Sequence, residues 1–417
     1  MVDRGVLAWR ATATATILAF VLYVVTVSHV HGGDTPNYVV QIREGEWLAW
    51  QHMLPHVVAG RLLGFTDHYI RGLGTYPVLC TLDAAAGALV VGLFFRVVLT
   101  LAGSMPTAAL AAAGLAVSNT LWATATTYEL ALFPVVPVLA AALVGLRHRG
   151  GATPAGACVA QGLLLAAAFG FHSLAIGALP AWLVVLALER RPYRSRARVM
   201  GVFLASFVGG AVLLYEALYA TLPDGVGRTL AGDLARFFAP APGIRDQAQP
   251  TWFAVRGFGG ALFAPGELPL GPVGGGLWLV LLLIGSVRDR AALRQRFAGW
   301  AWWPAAWLVG VVLVAARVEP GNAEYYLQPI AAALCWTGLL ITVRPTPNRA
   351  RTALAAGVLA VAGSNVGSVW IRHTAYPTHH ETTGAGHPPD DATRPTPGAG
   401  PGTPPGPQYA PGRGWSP

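Results

Sequence analysis

The chain has 417 residues and a formal net charge of +9, yet only 11% of its residues are charged while 54% are hydrophobic. A soluble domain carries about 25% charged residues, so this composition excludes a water-facing globule of this size. The positive balance does not indicate a nucleic-acid partner: every basic residue is arginine, and the arginines sit in short clusters between apolar runs, not on one face.

The apolar runs are long enough to cross a bilayer, which takes roughly 20 residues. Backbone groups in lipid must be satisfied within their own segment, so the runs are helices. The fold class expected is therefore an all-α integral membrane protein with about eleven transmembrane helices. In chain order they fall at 6–29, 77–101, 107–121, 128–146, 154–170, 172–188, 199–220, 271–287, 299–316, 323–343 and 352–371. The first run is too long for a signal peptide, and Ser28-His29-Val30-His31 offers no small-x-small cleavage site. It reads as a retained helix.

Arginine placement gives a direction. Arg4 and Arg10 precede the first helix. Further groups are Arg147 and Arg149; Arg190, Arg191, Arg194, Arg196 and Arg198; Arg288, Arg290, Arg294 and Arg296; and Arg344, Arg349 and Arg351. They occupy every second loop, so the positive-inside rule makes those loops cytoplasmic. The N-terminus is then inside and the C-terminus outside, in a multi-pass cell-membrane protein. Two outer loops are large, at about 30–76 and 221–270. The first holds a short interfacial helix over Leu54 to Phe65, opened by Pro55. The second holds Val226 to Phe238, where Leu230, Leu234 and Phe237 share a helical face. Residues 1–373 form the membrane domain. The tail at 374–417 carries eleven prolines and eight glycines and is expected to be disordered.

Most histidines and carboxylates collect at the outer rim, and the bilayer midplane is nearly free of ionisable groups. Such groups near a membrane tend to mark function, and this distribution favours a rim site over an ion pathway. Asp34, in Gly-Gly-Asp-Thr-Pro, reads either as a general base for an acceptor hydroxyl or as an ordinary turn residue. Glu129, beside Tyr128, reads either as a favourable first-turn charge or as a second site acid. His52 and His56 are four apart, but Pro55 argues against a regular helix carrying both as metal ligands, leaving a phosphate contact or a structural role. His172 opens the sixth helix. Glu324 and Tyr325 open the tenth, and the nearby Arg317 can act as a fork donor to phosphate. His379, His380 and His387 read as solvated tail residues. The three cysteines, Cys80, Cys158 and Cys335, lie far apart in apolar runs and read as packing residues.

Several of these segments resemble, in order, a family of bacterial membrane proteins related to protein O-mannosyltransferases, within the GT-C glycosyltransferases. Gly32-Gly33-Asp34-Thr35 is similar to that family's Gly-Gly-Asp-Ser loop opening. Gln51-His52-Met53-Leu54-Pro55-His56 stands at its His-Pro segment. Trp122 through Glu129, Phe169-Gly170-Phe171-His172-Ser173 and Glu324-Tyr325-Tyr326-Leu327-Gln328-Pro329 resemble three further stretches. The family's tandem prolines are absent, and Leu-Ala-Leu follows Glu129 in place of Val-Tyr. The resemblance covers roughly residues 5 to 345. It implies inverting transfer of a sugar from a polyprenyl-phosphate donor to an extracytoplasmic protein or glycan, with Asp34 as base and no metal or other cofactor. Glu129, Tyr128 and His172 would be pocket residues, and His52, His56 or Arg317 would meet the phosphate. Expected partners are the lipid-linked donor, membrane lipids and the acceptor. The rival readings are a transporter or lipid flippase, with broken helices and mid-depth polar residues, and a non-catalytic scaffold of an envelope assembly.

Overall fold

The structure, a computed structural model, describes residues 4–27, 38–39, 42, 53–69, 74–189, 191–220, 229–232, 235, 250–263, 270–318, 323–344 and 346–366. Among them there are helices and no strands. The chain opens with α1 (Arg4–Val25), whose Thr12, Thr14 and Thr16 hydroxyls donate to the carbonyls four residues back. That arrangement hides polar side chains inside the helix's own ladder, as lipid requires. After α2 (Met53–Tyr69) comes α3 (Thr75–Ala102). It stops at Gly103, whose φ of 66° is the left-handed cap that favours glycine, and whose N–H returns to Leu99 O at 2.8 Å. Ser104 then caps α4 (Met105–Ala116) through the Thr107 N–H.

The next segments are interrupted. α5 (Asn119–Thr126) leaves α4 at 60°. A 3-10 turn, Leu130–Leu132, precedes α6 (Val135–Leu146). α7 (Ala155–Phe171) is followed by a 3-10 stretch, Ser173–Ala178, and then α8 (Leu179–Ala187). α9 (Tyr193–Tyr219) is unbroken and packs along α7 in the most extensive helix contact described. Gly162 permits it: a Cβ there would lie 2.6 Å from the Phe203 carbonyl oxygen. Small residues that let backbones approach are the usual glue between helices in lipid.

The second half contains α10 (Pro250–Leu262), α11 (Leu270–Arg288), α12 (Arg290–Phe297), α13 (Trp303–Val318), α14 (Leu327–Val343) and α15 (Pro347–Asn365). α14 is the hub, with 83% of its apolar stretch buried against 11% for α1. The outer faces are apolar: Ile17, Leu18 and Val21 on α1 and Val208, Val212 and Leu213 on α9 are exposed. Contiguous apolar surface of this kind belongs against lipid, and the chain is a multi-pass membrane protein.

Five helices are long and apolar enough to cross a membrane, or seven if each of two bent pairs counts as one span. Every expected span coincides with a helix, but not always with one long helix. Those at 128–146, 154–170 and 172–188 meet the shorter apolar segments Leu130–Leu146, Ala155–Phe171 and Ser173–Ala187. The span at 352–371 meets α15, and its last residues lie outside the described ones. The surface helix expected at Leu54 to Phe65 is present as the longer α2. The stretch Val226 to Phe238 and the tail at 374–417 lie largely or wholly outside the described residues. α10, in the second large loop, carries none of the residues singled out there.

The two ends of the bundle differ. At one end, Arg149 donates to the carbonyls of Thr100, Leu101 and Arg296, and Arg296 donates to Thr342 O at 2.7 Å. Arg351 reaches Thr107 Oγ1 and Ser104 Oγ, and Arg344 lies 3.6 Å from Asp289. Arginines from three different loops thus tie helix ends together on one side. The opposite end is joined by neutral contacts. Asn119 donates to Gly260 O, Trp122 Nε1 to Thr26 Oγ1, and Asn365 Nδ2 to Val117 O and Leu262 O.

Candidate functional site at the helix breaks

The bend between α12 and α13 lies at the arginine end, but the breaks at 117–118, 127–134 and 172–178 gather at the opposite end, and the singled-out polar residues sit on or beside them. His172 follows the last residue of α7 with extended backbone. Its Nδ1 accepts the Leu174 N–H at 3.1 Å, so the proton of the neutral ring is on Nε2. The imidazole meets the Tyr325 ring edge-on, centroids 5.6 Å apart. Tyr325 and Glu324 belong to the 3-10 turn Ala323–Tyr326 that leads into α14. That turn is anchored by Thr120 Oγ1 on α5, which donates to Ala323 O at 3.1 Å.

These groups line a small cleft of about 10 Å³, room for about one water, with Ala131, Pro134, Leu174, Leu327 and Gln328. Gln328 was not singled out from sequence; its Oε1 accepts the Trp307 indole N–H at 3.1 Å. A glutamine inside an apolar run was the available signal.

A second group lies next to the cleft. Glu129 caps the Leu130–Leu132 turn with extended backbone and is 5% exposed. Its N–H donates to Asp83 Oδ2 on α3 at 2.7 Å, and Asp83 is completely buried. Tyr128 is also completely buried, and its ring meets Tyr38 edge-on at 6.3 Å. Tyr38 in turn lies 5.3 Å from the His56 ring. Phe133 stacks on Phe171 at 5.9 Å and links the Glu129 turn to the end of α7 beside His172. The structure thus brings Glu129, Tyr128, His172, Glu324, Tyr325 and His56 to one end of the bundle. Arg317 is exposed in the last turn of α13, six residues before the Ala323–Tyr326 turn begins. Asp34 and His52 lie outside the described residues. Among the described residues no group of three His, Cys, Asp or Glu could hold a metal ion.

His56 is fully buried on α2, and burial pushes its imidazole down to about 4. The folded protein therefore holds it neutral, while the unfolded chain takes up a proton near pH 6.5. Stability from this site is complete above pH 6.5 and is lost as the pH falls toward 4. The full loss is of order 3 kcal/mol. Thermal unfolding in detergent between pH 7.5 and 4.5 should show a steeper decline for wild type than for His56→Gln; equal declines would contradict it.

The fold and the rim together define a helical membrane protein with a polar cleft at one end. It is similar to a particular solved structure, that of ArnT from Cupriavidus metallidurans bound to undecaprenyl phosphate, with a TM-score of 0.54 and 15% sequence identity. The match covers 84% of this chain and 63% of that chain, so this chain spans less than two thirds of the length of ArnT. The likeness establishes an ArnT-like fold. No family profile matches the sequence, and no curated protein does.

Proposed function

We propose that the protein is a GT-C type glycosyltransferase that moves a sugar from a polyprenyl-phosphate carrier to an acceptor outside the cytoplasm. The observation that carries this reading is an ArnT-like fold with a polar cleft where its helices break. ArnT was solved with undecaprenyl phosphate, a polyprenyl phosphate of the kind that the proposed transfer releases. In this reading the arginine-tied end is cytoplasmic, the cleft faces outward and about eleven helices cross.

The acceptor hydroxyl attacks the anomeric carbon of the donor sugar, and the bond from that carbon to the phosphate oxygen breaks. Polyprenyl phosphate leaves with the bonding electrons, and the hydroxyl proton passes to Asp34. Attack from the face opposite the leaving phosphate inverts the anomeric centre. Glu129 orients the acceptor, His172 with Glu324 and Tyr325 shapes the cleft wall, and Arg317 with His52 stabilises the departing phosphate. His56, buried and neutral, supports the wall through Tyr38. No metal takes part, since a monophosphate leaving group presents less charge than a diphosphate.

The test is release of undecaprenyl phosphate from undecaprenyl-phosphate mannose or undecaprenyl-phosphate glucose by the purified protein in liposomes, with water in the place of the acceptor hydroxyl and the free sugar as the second product. Release above the protein-free rate supports the reading. Binding of these lipids with neither transfer nor hydrolysis would favour a carrier or scaffold role.

A further inference from the structure

The proposed reaction gives Asp83 no task. Its placement is unusual. It lies eight residues into α3, between Leu82 and the run Ala84 to Phe95, which has no polar side chain, and none of its surface is exposed. A carboxylate in such surroundings is costly, and an ordinary packing position would hold an alanine or leucine. One oxygen, Oδ2, accepts the backbone N–H of Glu129 at 2.7 Å; the other, Oδ1, is buried without a hydrogen-bond partner among the described residues.

The accepted N–H sits where the chain needs an outside partner. α5 ends at Thr126, and Thr127 and Glu129 both have extended backbone before the Leu130–Leu132 turn begins. The Glu129 N–H is therefore not part of a helical ladder. Asp83 ties this break to α3 across 46 residues of sequence. Two residues beyond Glu129, Ala131 forms part of the cleft wall.

We propose that Asp83 is a positioning residue: through its bond to the Glu129 N–H it fixes the break that aims the Glu129 side chain at the acceptor. This rests on the reading of Glu129 as a site acid. The bond needs an acceptor oxygen at this reach and not a negative charge, so asparagine can replace aspartate and alanine cannot.

The experiment pairs Asp83→Ala with Asp83→Asn in the full chain in nanodiscs. It uses whichever of undecaprenyl-phosphate mannose and undecaprenyl-phosphate glucose the wild type turns over faster. Asp83→Ala should lower kcat by about 30- to 100-fold, the scale of a displaced catalytic group. Its donor KM should stay within about threefold, because the carrier is held elsewhere. Asp83→Asn should keep kcat within about fivefold of wild type. Amide hydrogen exchange should quicken in Asp83→Ala at residues 127–132 and stay unchanged in α14. If Asp83→Ala does not fold, Asp83→Ser replaces it, since its hydroxyl is too short to reach Glu129. Wild-type kcat in the alanine or serine variant, or an asparagine variant as slow as either, overturns the proposal. If wild type turns over neither donor, the glycosyltransferase reading fails on its own. The exchange data then decide the Asp83 contact: faster exchange confined to 127–132 upholds it, and unchanged exchange overturns it.

Discussion

Glu129→Gln is expected to lower turnover of a polyprenyl-phosphate sugar by about 100-fold or more while leaving the protein folded. Glutamine keeps the shape of the side chain and the backbone N–H that Asp83 accepts, so the extended break before Leu130–Leu132 survives. What is lost is the negative charge that accepts a hydrogen bond from the acceptor hydroxyl. A positioned acid or base is worth roughly 10²- to 10⁴-fold in rate. The loss should appear in kcat and not in donor KM, because Glu129 stands at the acceptor side of the cleft in the proposed arrangement. Steady-state kinetics at saturating donor measures it; a wild-type kcat for Glu129→Gln would remove this residue from the site.

The second large effect is structural and reaches the site through packing. Gly310 on α13 faces Gly177 in the 3-10 stretch Ser173–Ala178, so closely that a Cβ on Gly310 would lie 2.1 Å from the Gly177 carbonyl oxygen. The obstacle is backbone, which cannot swing aside as a long side chain can. Gly310→Val must therefore push α13 away from the turn that His172 caps. Overpacking of a tight interior costs about 1–3 kcal/mol, and more where the backbone must move. The variant should lose thermal stability in detergent and also lose activity, because the cleft wall shifts with the turn. Gly201→Val is the control, since nothing lies within 4 Å of a Cβ there. Equal unfolding temperatures for the two variants would contradict the close approach.

Much of the architecture was legible because lipid imposes simple rules. Each expected span found a helix, and the arginines of Arg149, Arg296, Arg344 and Arg351 meet at one end as their alternation between loops required. The breaks were less legible. Residues 107–121 read as one apolar run, yet α4 and α5 part at 60°, and hydropathy is blind to direction. His172 was recognisable as a helix start because an imidazole at the edge of an apolar run must find polar company. Its contact with Tyr325 was not, because the two are far apart in sequence and meet only when α14 folds back. Asp83 shows the same limit more sharply. Its presence in an apolar run was plain, but its partner lies 46 residues on, and no local pattern names a partner at that distance.

The most direct measurement of whether a carboxylate at the outer rim drives sugar transfer compares wild type with Asp34→Asn. Both are placed in liposomes with undecaprenyl-phosphate mannose or undecaprenyl-phosphate glucose, and the release of undecaprenyl phosphate is followed. Wild type should release it, and Asp34→Asn should do so at least about 100-fold more slowly while unfolding at the same temperature. Turnover by Asp34→Asn at the wild-type rate would contradict it.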